Sequence, residues 1–148
     1  MSSTRRVLTI LLGILVIGFV LLQLVGLIVP SLARTNPPVT YQVQWDSPEI
    51  EQMMRKTCYD CHSNETVWPW YSYVAPVSWL IINHVNEGRD NLNFSTGQGE
   101  LESEDLIRQI ERGQMPPANY LSMHPEANLS ESDKVTLIQG IRASLPGD

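Results

Sequence analysis

Cys58-Tyr59-Asp60-Cys61-His62 is the stretch on which the reading of the whole chain turns. Two thiols three residues apart fall on one side of a helical turn, and an imidazole comes directly after the second. The chain has 2 cysteines, and both are here. A disulfide closing so small a loop would add little stability, so stapling is a poor explanation for the pair.

Upstream, Val7 to Val29 carries no charge, and Gln23 is its only strongly polar member. As a helix it would extend roughly 35 Å, enough to cross a hydrocarbon core of about 30 Å. A core helix of a small soluble domain would show a polar face, and this run has none. Arg5 and Arg6 precede it, whereas Arg34 is the only basic residue shortly after it. The positive-inside rule then leaves the N-terminus in the cytoplasm and exports the rest of the chain, as a single-pass membrane protein. The alternative is a cleaved signal peptide with Ser31-Leu32-Ala33 as its processing site, but the run is longer than the usual apolar region of such signals. The chain's 10 basic and 16 acidic residues give a net charge of −6, and without Arg5 and Arg6 the remainder stands at −8. That balance argues against nucleic acid as a partner and suits a basic protein.

The expected organisation is a membrane anchor over 1–30, a linker over 31–47 and one domain over 48–148. Asn36-Pro37-Pro38 and Ser47-Pro48 mark the linker as an extended tether, although Val39 to Trp45 alternates weakly enough for a short strand. Ser47-Pro48-Glu49 opens a first helix with an N-cap residue, proline at N1 and an acid in the first turn. This helix carries Ile50, Met53, Met54 and Thr57 directly into the cysteine motif. A second is expected over Pro76 to Glu87, with Val77, Leu80, Ile81, His84 and Val85 on its apolar face and Gly88 as its stop. A third spans Ser103 to Arg112 with Leu106, Ile107 and Ile110 inward and ends at Gly113. Gln114 to Asn128, dense in proline, reads as irregular. Ser130-Glu131-Ser132-Asp133 caps the last helix, whose stripe is Val135, Leu137, Ile138 and Ile141 and whose stop is Pro146-Gly147. The fold class is therefore all-α: about four short helices with long loops, after one transmembrane helix. Loops of this length usually carry function or wrap something, and a large apolar cofactor would supply core that short helices lack.

The five-residue motif names that cofactor. Cys-x-x-Cys-His is the attachment signature of c-type haem: Cys58 and Cys61 add to the two vinyl groups on one porphyrin edge, and His62 ligates the iron. The second ring nitrogen of His62 should donate to a backbone carbonyl, fixing the ring and raising its basicity as a ligand. Zinc would call for a second paired cluster, and the chain has no further cysteines. A thioredoxin-like dithiol would sit within a βαβ pattern, which is lacking. One covalent haem c is the expected cofactor.

The resemblance extends beyond the motif. Cys58-Tyr59-Asp60-Cys61-His62-Ser63-Asn64, Trp68-Pro69-Trp70-Tyr71-Ser72 and Ala75-Pro76-Val77-Ser78-Trp79 are its first blocks. Next come His84-Val85-Asn86-Glu87-Gly88-Arg89, Leu92-Asn93-Phe94-Ser95, Gly113-Gln114-Met115-Pro116-Pro117 and His124-Pro125-Glu126-Ala127. Over these blocks the chain resembles a small bacterial haem-binding domain family with a membrane anchor and one c-type motif. The order of Met115-Pro116 before a helix opening at Leu129-Ser130 is also similar to the C-terminal half of small mono-haem cytochromes c, where a Met-Pro loop closes the distal side. Met115 is accordingly the leading sixth ligand, with His84 and His124 as alternatives and Met123 available only in a different loop register. Trp68, Trp70 and Tyr71 are expected to line the haem, the alternative being a packed corner or an interfacial aromatic belt. Arg89 is either a propionate partner or an exposed helix-end residue.

Met/His ligation raises the potential relative to bis-histidine and leaves no open position for substrate. The leading function is thus single-electron transfer at the outer membrane face with a redox protein partner. A peroxidase-like enzyme or a haem-based sensor would require an open iron, and no close Arg-His distal pair is apparent, so an enzyme is the lesser reading.

Overall fold

The computed structural model describes residues 3–99 and 103–145. Among the described residues it is all-helical: seven α-helices and three short 3-10 turns, with no strand. The chain divides into two compact units. The first joins the segment ending at Arg34 to Trp68–His84; the second comprises Thr35–Val67 and the chain from Val85 onward.

The first unit is dominated by helix α1, Ser3–Ile28, which is long and apolar enough to cross a membrane and has no buried residue. Its polar exception, Gln23, accepts from Ala75 N at 2.9 Å and donates to Ala75 O at 3.3 Å. After a 3-10 turn at Pro30–Leu32, Arg34 donates to Ser72 O at 2.9 Å, and its guanidinium lies 4.1 Å from the centre of the Tyr73 ring. Trp70–Tyr73 forms a second 3-10 turn.

The second unit is built on α2 (Pro48–Thr57), α5 (Ser103–Glu111) and α7 (Glu131–Ser144). The caps form as the sequence dictates. Ser47 Oγ accepts from Ile50 N at the start of α2, and Ser130 with Asp133 completes a reciprocal capping box on α7. Ile50 and Met54 of α2, Ile107 and Ile110 of α5, and Leu137 and Ile141 of α7 meet in one core with Val43, Tyr59, Leu92, Phe94 and Leu145. Packing is close where α7 crosses α2: a Cβ on Gly140 would stand 2.3 Å from Ile50 Cδ1. Protein side chains alone therefore furnish a core, whereas the shortness of the helices suggests that a cofactor has to supply it.

Several local readings are corrected. Helix α4, Val77–Asn91, runs through Gly88. Its buried face is Ser78, Ile82, Val85 and Arg89, whereas Val77, Leu80 and His84 are exposed. Val135 of α7 is exposed as well. The proline-dense segment contains α6, Ala118–Met123, and a 3-10 turn at Pro125–Ala127, because Pro117 and Pro125 flank the helix instead of interrupting it. The motif itself adds a one-turn helix, α3 at Tyr59–His62. Pro146 and Gly147, the expected stop of α7, lie outside the described residues. Val39–Trp45 takes no regular secondary structure. That stretch is held to the second unit by hydrogen bonds from Thr40 N and Tyr41 N to Ser95 O at 2.8 and 2.9 Å.

Candidate functional site

The motif folds as one tight turn. Cys61 N and His62 N both donate to Cys58 O, at 3.2 and 2.9 Å, which winds the two thiols and the imidazole into α3. Both cysteines are free and half-buried. Burial pushes each thiol up to about 11; for Cys61 the neighbouring Asp60 charge adds to the effect, and for Cys58 a contact with the Thr57 hydroxyl opposes it. At neutral pH both thiols are thus protonated and uncharged.

His62 is oriented through its other ring nitrogen. Nδ1 lies 3.2 Å from Leu92 O, so with the proton on Nδ1 the ring donates to that carbonyl and keeps Nε2 as a lone-pair donor. Burial pulls the imidazole below its ordinary value, an effect partly offset by the backbone carbonyls of Leu92 and Gly88. A neutral ring with one nitrogen fixed is the form that binds a metal. Phe94 N donates to His62 O at 2.8 Å, and the Phe94 ring meets the imidazole edge-on at 6.3 Å. Behind them Tyr59 stacks on Phe94 at 5.3 Å, and its hydroxyl accepts from Trp45 Nε1 at 2.9 Å.

Three residues outside the donor set hold this turn in place. Gly88 allows α4 to lie against the motif: a Cβ there would stand 2.4 Å from Cys61 O. Sequence alone reads this glycine as a helix stop, although close backbone approach is the other established use of glycine. Arg89 is buried, and its guanidinium donates to Ser63 O, Thr35 O, Asn36 Oδ1 and Thr66 Oγ1 at 2.7 to 3.0 Å. It is a buried residue and not an exposed helix-end arginine, and it sews the residues after His62 to the start of the second unit. Asp60, between the cysteines, accepts from Val67 N at 2.9 Å and from the Tyr120 hydroxyl at 2.8 Å. The second of these bonds joins α6 directly to the motif.

The segment carrying the axial candidates is thereby brought to the same unit. Met115, 40% exposed, precedes α6, with its amide donating to Gln109 O at 3.2 Å. Met123 at the end of α6 is exposed. His124 is half-buried, its ring stacked 4.2 Å from that of Tyr120 and its Nδ1 3.0 Å from Glu126 Oε1. His84, Trp68, Trp70 and Tyr71 belong to the first unit. There His84 is exposed, Trp70 is 75% exposed, and Trp68 and Tyr71 are half-buried.

The family model described as "Haem-binding domain" matches residues 17–143. The chain belongs to the haem-binding domain family. No curated protein and no solved structure gives a significant match. The side chains of this haem-binding domain fit the group its family implies: an imidazole whose Nδ1 faces a backbone carbonyl, leaving Nε2 available, and two thiols free of any disulfide on the same turn. Among the described residues no group of three His, Cys, Asp or Glu side chains is placed to hold a metal ion, and no strand provides a thioredoxin-like context.

Proposed function

We propose that this haem-binding domain is a mono-haem c-type cytochrome domain, anchored by α1 and carrying single electrons at the outer face of a bacterial membrane. The observation that carries the reading is the turn Cys58–His62, with His62 Nδ1 committed to Leu92 O. Cys58 and Cys61 are the attachment residues. Their thiols would hold the porphyrin through its two vinyl groups, by an addition that needs no leaving group or oxidant. His62 and Met115 would hold the iron, with His84 and His124 as the alternatives to Met115. An iron held between an imidazole and a thioether supplies a reversible one-electron couple at a higher potential than bis-histidine ligation gives.

The protein's share of that work is orientation and exclusion. Leu92 O fixes the imidazole plane, and Phe94, Tyr59 and Trp45 form an apolar wall beside it. Tyr120 ties the distal segment to Asp60. Arg5 and Arg6 at the start of α1 support an N-terminus on the cytoplasmic side, and with it an exported second unit. The acidic surplus of the exported part favours a basic redox partner in or near the membrane.

The test is spectroscopic. The full chain, produced in a host with haem c maturation machinery, is expected to give a low-spin spectrum unchanged by carbon monoxide, and Met115→Ala a form that binds it. A low-spin spectrum that survives Met115→Ala would assign the distal position to a histidine. Carbon monoxide binding by the unmodified protein would point to an open iron, and with it to sensing or peroxide chemistry.

A further inference from the structure

The first unit exposes more than its long helix. Trp70, Tyr73, Val77 and Leu80 are 75%, 57%, 45% and 64% exposed, a concentration of large apolar side chains on a short loop and the start of α4. Val77 and Leu80 are three residues apart and share a helix face. This segment is fastened to the end of α1 at successive heights. Gln23 exchanges two hydrogen bonds with the backbone of Ala75. The Trp79 indole nitrogen lies 4.0 Å from where a Gly26 Cβ would stand. Arg34 donates to Ser72 O and covers one face of the Tyr73 ring.

These fastenings set a depth. Gln23 is five residues from the end of α1 at Ile28, about 7.5 Å along the axis. If α1 spans a bilayer, residues 70–80 lie where hydrocarbon gives way to headgroups, the zone in which Trp and Tyr accumulate because each joins an apolar ring to a polar edge. An amide in hydrocarbon has to find its partner within the protein, and Gln23 finds it on the backbone of this segment.

We propose that Trp70, Tyr73, Val77 and Leu80 form a lipid-contacting patch that enters the interfacial zone of the phospholipid bilayer around α1. This rests on α1 being the membrane anchor. It gives Trp70 a lipid-facing role in place of the haem-lining one expected from its position after the motif. The chain is then held to the membrane at two places, a spanning helix and an interfacial loop, with the loop's height set by the contacts of Gln23, Gly26 and Arg34.

The experiment is photolabelling of the haem-loaded full chain in phosphatidylcholine vesicles containing a phospholipid with a diazirine on its upper acyl chain, the adducts being located by mass spectrometry. Adducts in residues 70–80 as well as in α1 are the expected result. Gln23→Leu should lower those in 70–80 severalfold and leave those in α1. Adducts confined to α1 would overturn the patch while sparing the anchor, and would indicate that these side chains meet water or a protein. Adducts in neither segment would remove the anchor reading itself, and the patch with it.

Discussion

In the first unit the apolar side chains from Val7 to Ile28 lie outward, and it is the polar Gln23 and Arg34 that are tied inward. In the second unit Ile50, Met54, Phe94, Ile107, Leu137 and Ile141 are buried, and the charged side chains of α2, α5 and α7 face out. One chain thus contains two opposite solutions to the same rule, that a group is buried away from the medium it disfavours. The second unit is arranged for water. If α1 is a membrane anchor, the first meets a medium in which an exposed leucine costs nothing and an unpaired amide is expensive. The motif belongs to the water-adapted unit, where packed helices can hold a donor set within narrow limits.

The contrast can be broken by substitutions matched across the two units. Leu137→Ala, at a position 1% exposed, should cost the second unit about 2–5 kcal/mol in a urea titration followed by tryptophan fluorescence or haem absorbance. A loss under ~0.5 kcal/mol would mean that α7 does not pack into this core. Gly88→Ala forces a methyl group against Cys61 O and should cost about 1–3 kcal/mol, together with a lower yield of haem-loaded protein. Unchanged yield and stability would show that α4 does not rest on the motif.

Tyr120→Phe removes one half-buried bond to a carboxylate and should cost about 1 kcal/mol, with a weakened low-spin spectrum if α6 positions the distal ligand. Acid provides a graded test without substitution. Burial lowers the His62 pKa in the folded chain below its ordinary value of 6.5, so the unfolded chain binds the extra proton first. Stability of the haem-free chain should hold above that value and fall as pH drops below it toward the folded pKa. A His62→Gln variant should lack that component. The smallest effect is expected at Leu15→Ala. This residue is 70% exposed on α1, and the change should leave the urea midpoint of the second unit within about 0.5 kcal/mol of the original.

What is legible in the sequence is local. The caps at Ser47 and Ser130 can be read from side-chain chemistry within three residues, and α1 from uninterrupted hydrophobicity. The motif spacing carries the donor set in the same way, and the helical fold class comes from the remaining periodicities. What escapes depends on distant contacts. Whether Gly88 stops a helix or lets one backbone approach another is decided by Cys61, far away in sequence. Arg89 can pass for a solvent-facing residue because its acceptors are carbonyls and small polar groups of Thr35, Asn36, Ser63 and Thr66, none of which announces an ion site. The face of α4 is misassigned because Val77 and Leu80 supply the apolar periodicity but face outward. Short α6 is lost among prolines that flank it. Asp60 passes for filler between the cysteines, and only the fold brings Tyr120 onto it.

The central claim is that Cys58 and Cys61 hold the haem by covalent bonds. The most direct measurement is acidified-acetone extraction of the purified full chain, followed by haem staining of a denaturing gel. The expected result is haem that stays on the polypeptide and is lost from the Cys58→Ser, Cys61→Ser double variant. Haem that passes into the acetone from the unmodified protein, leaving an unstained band, would contradict it.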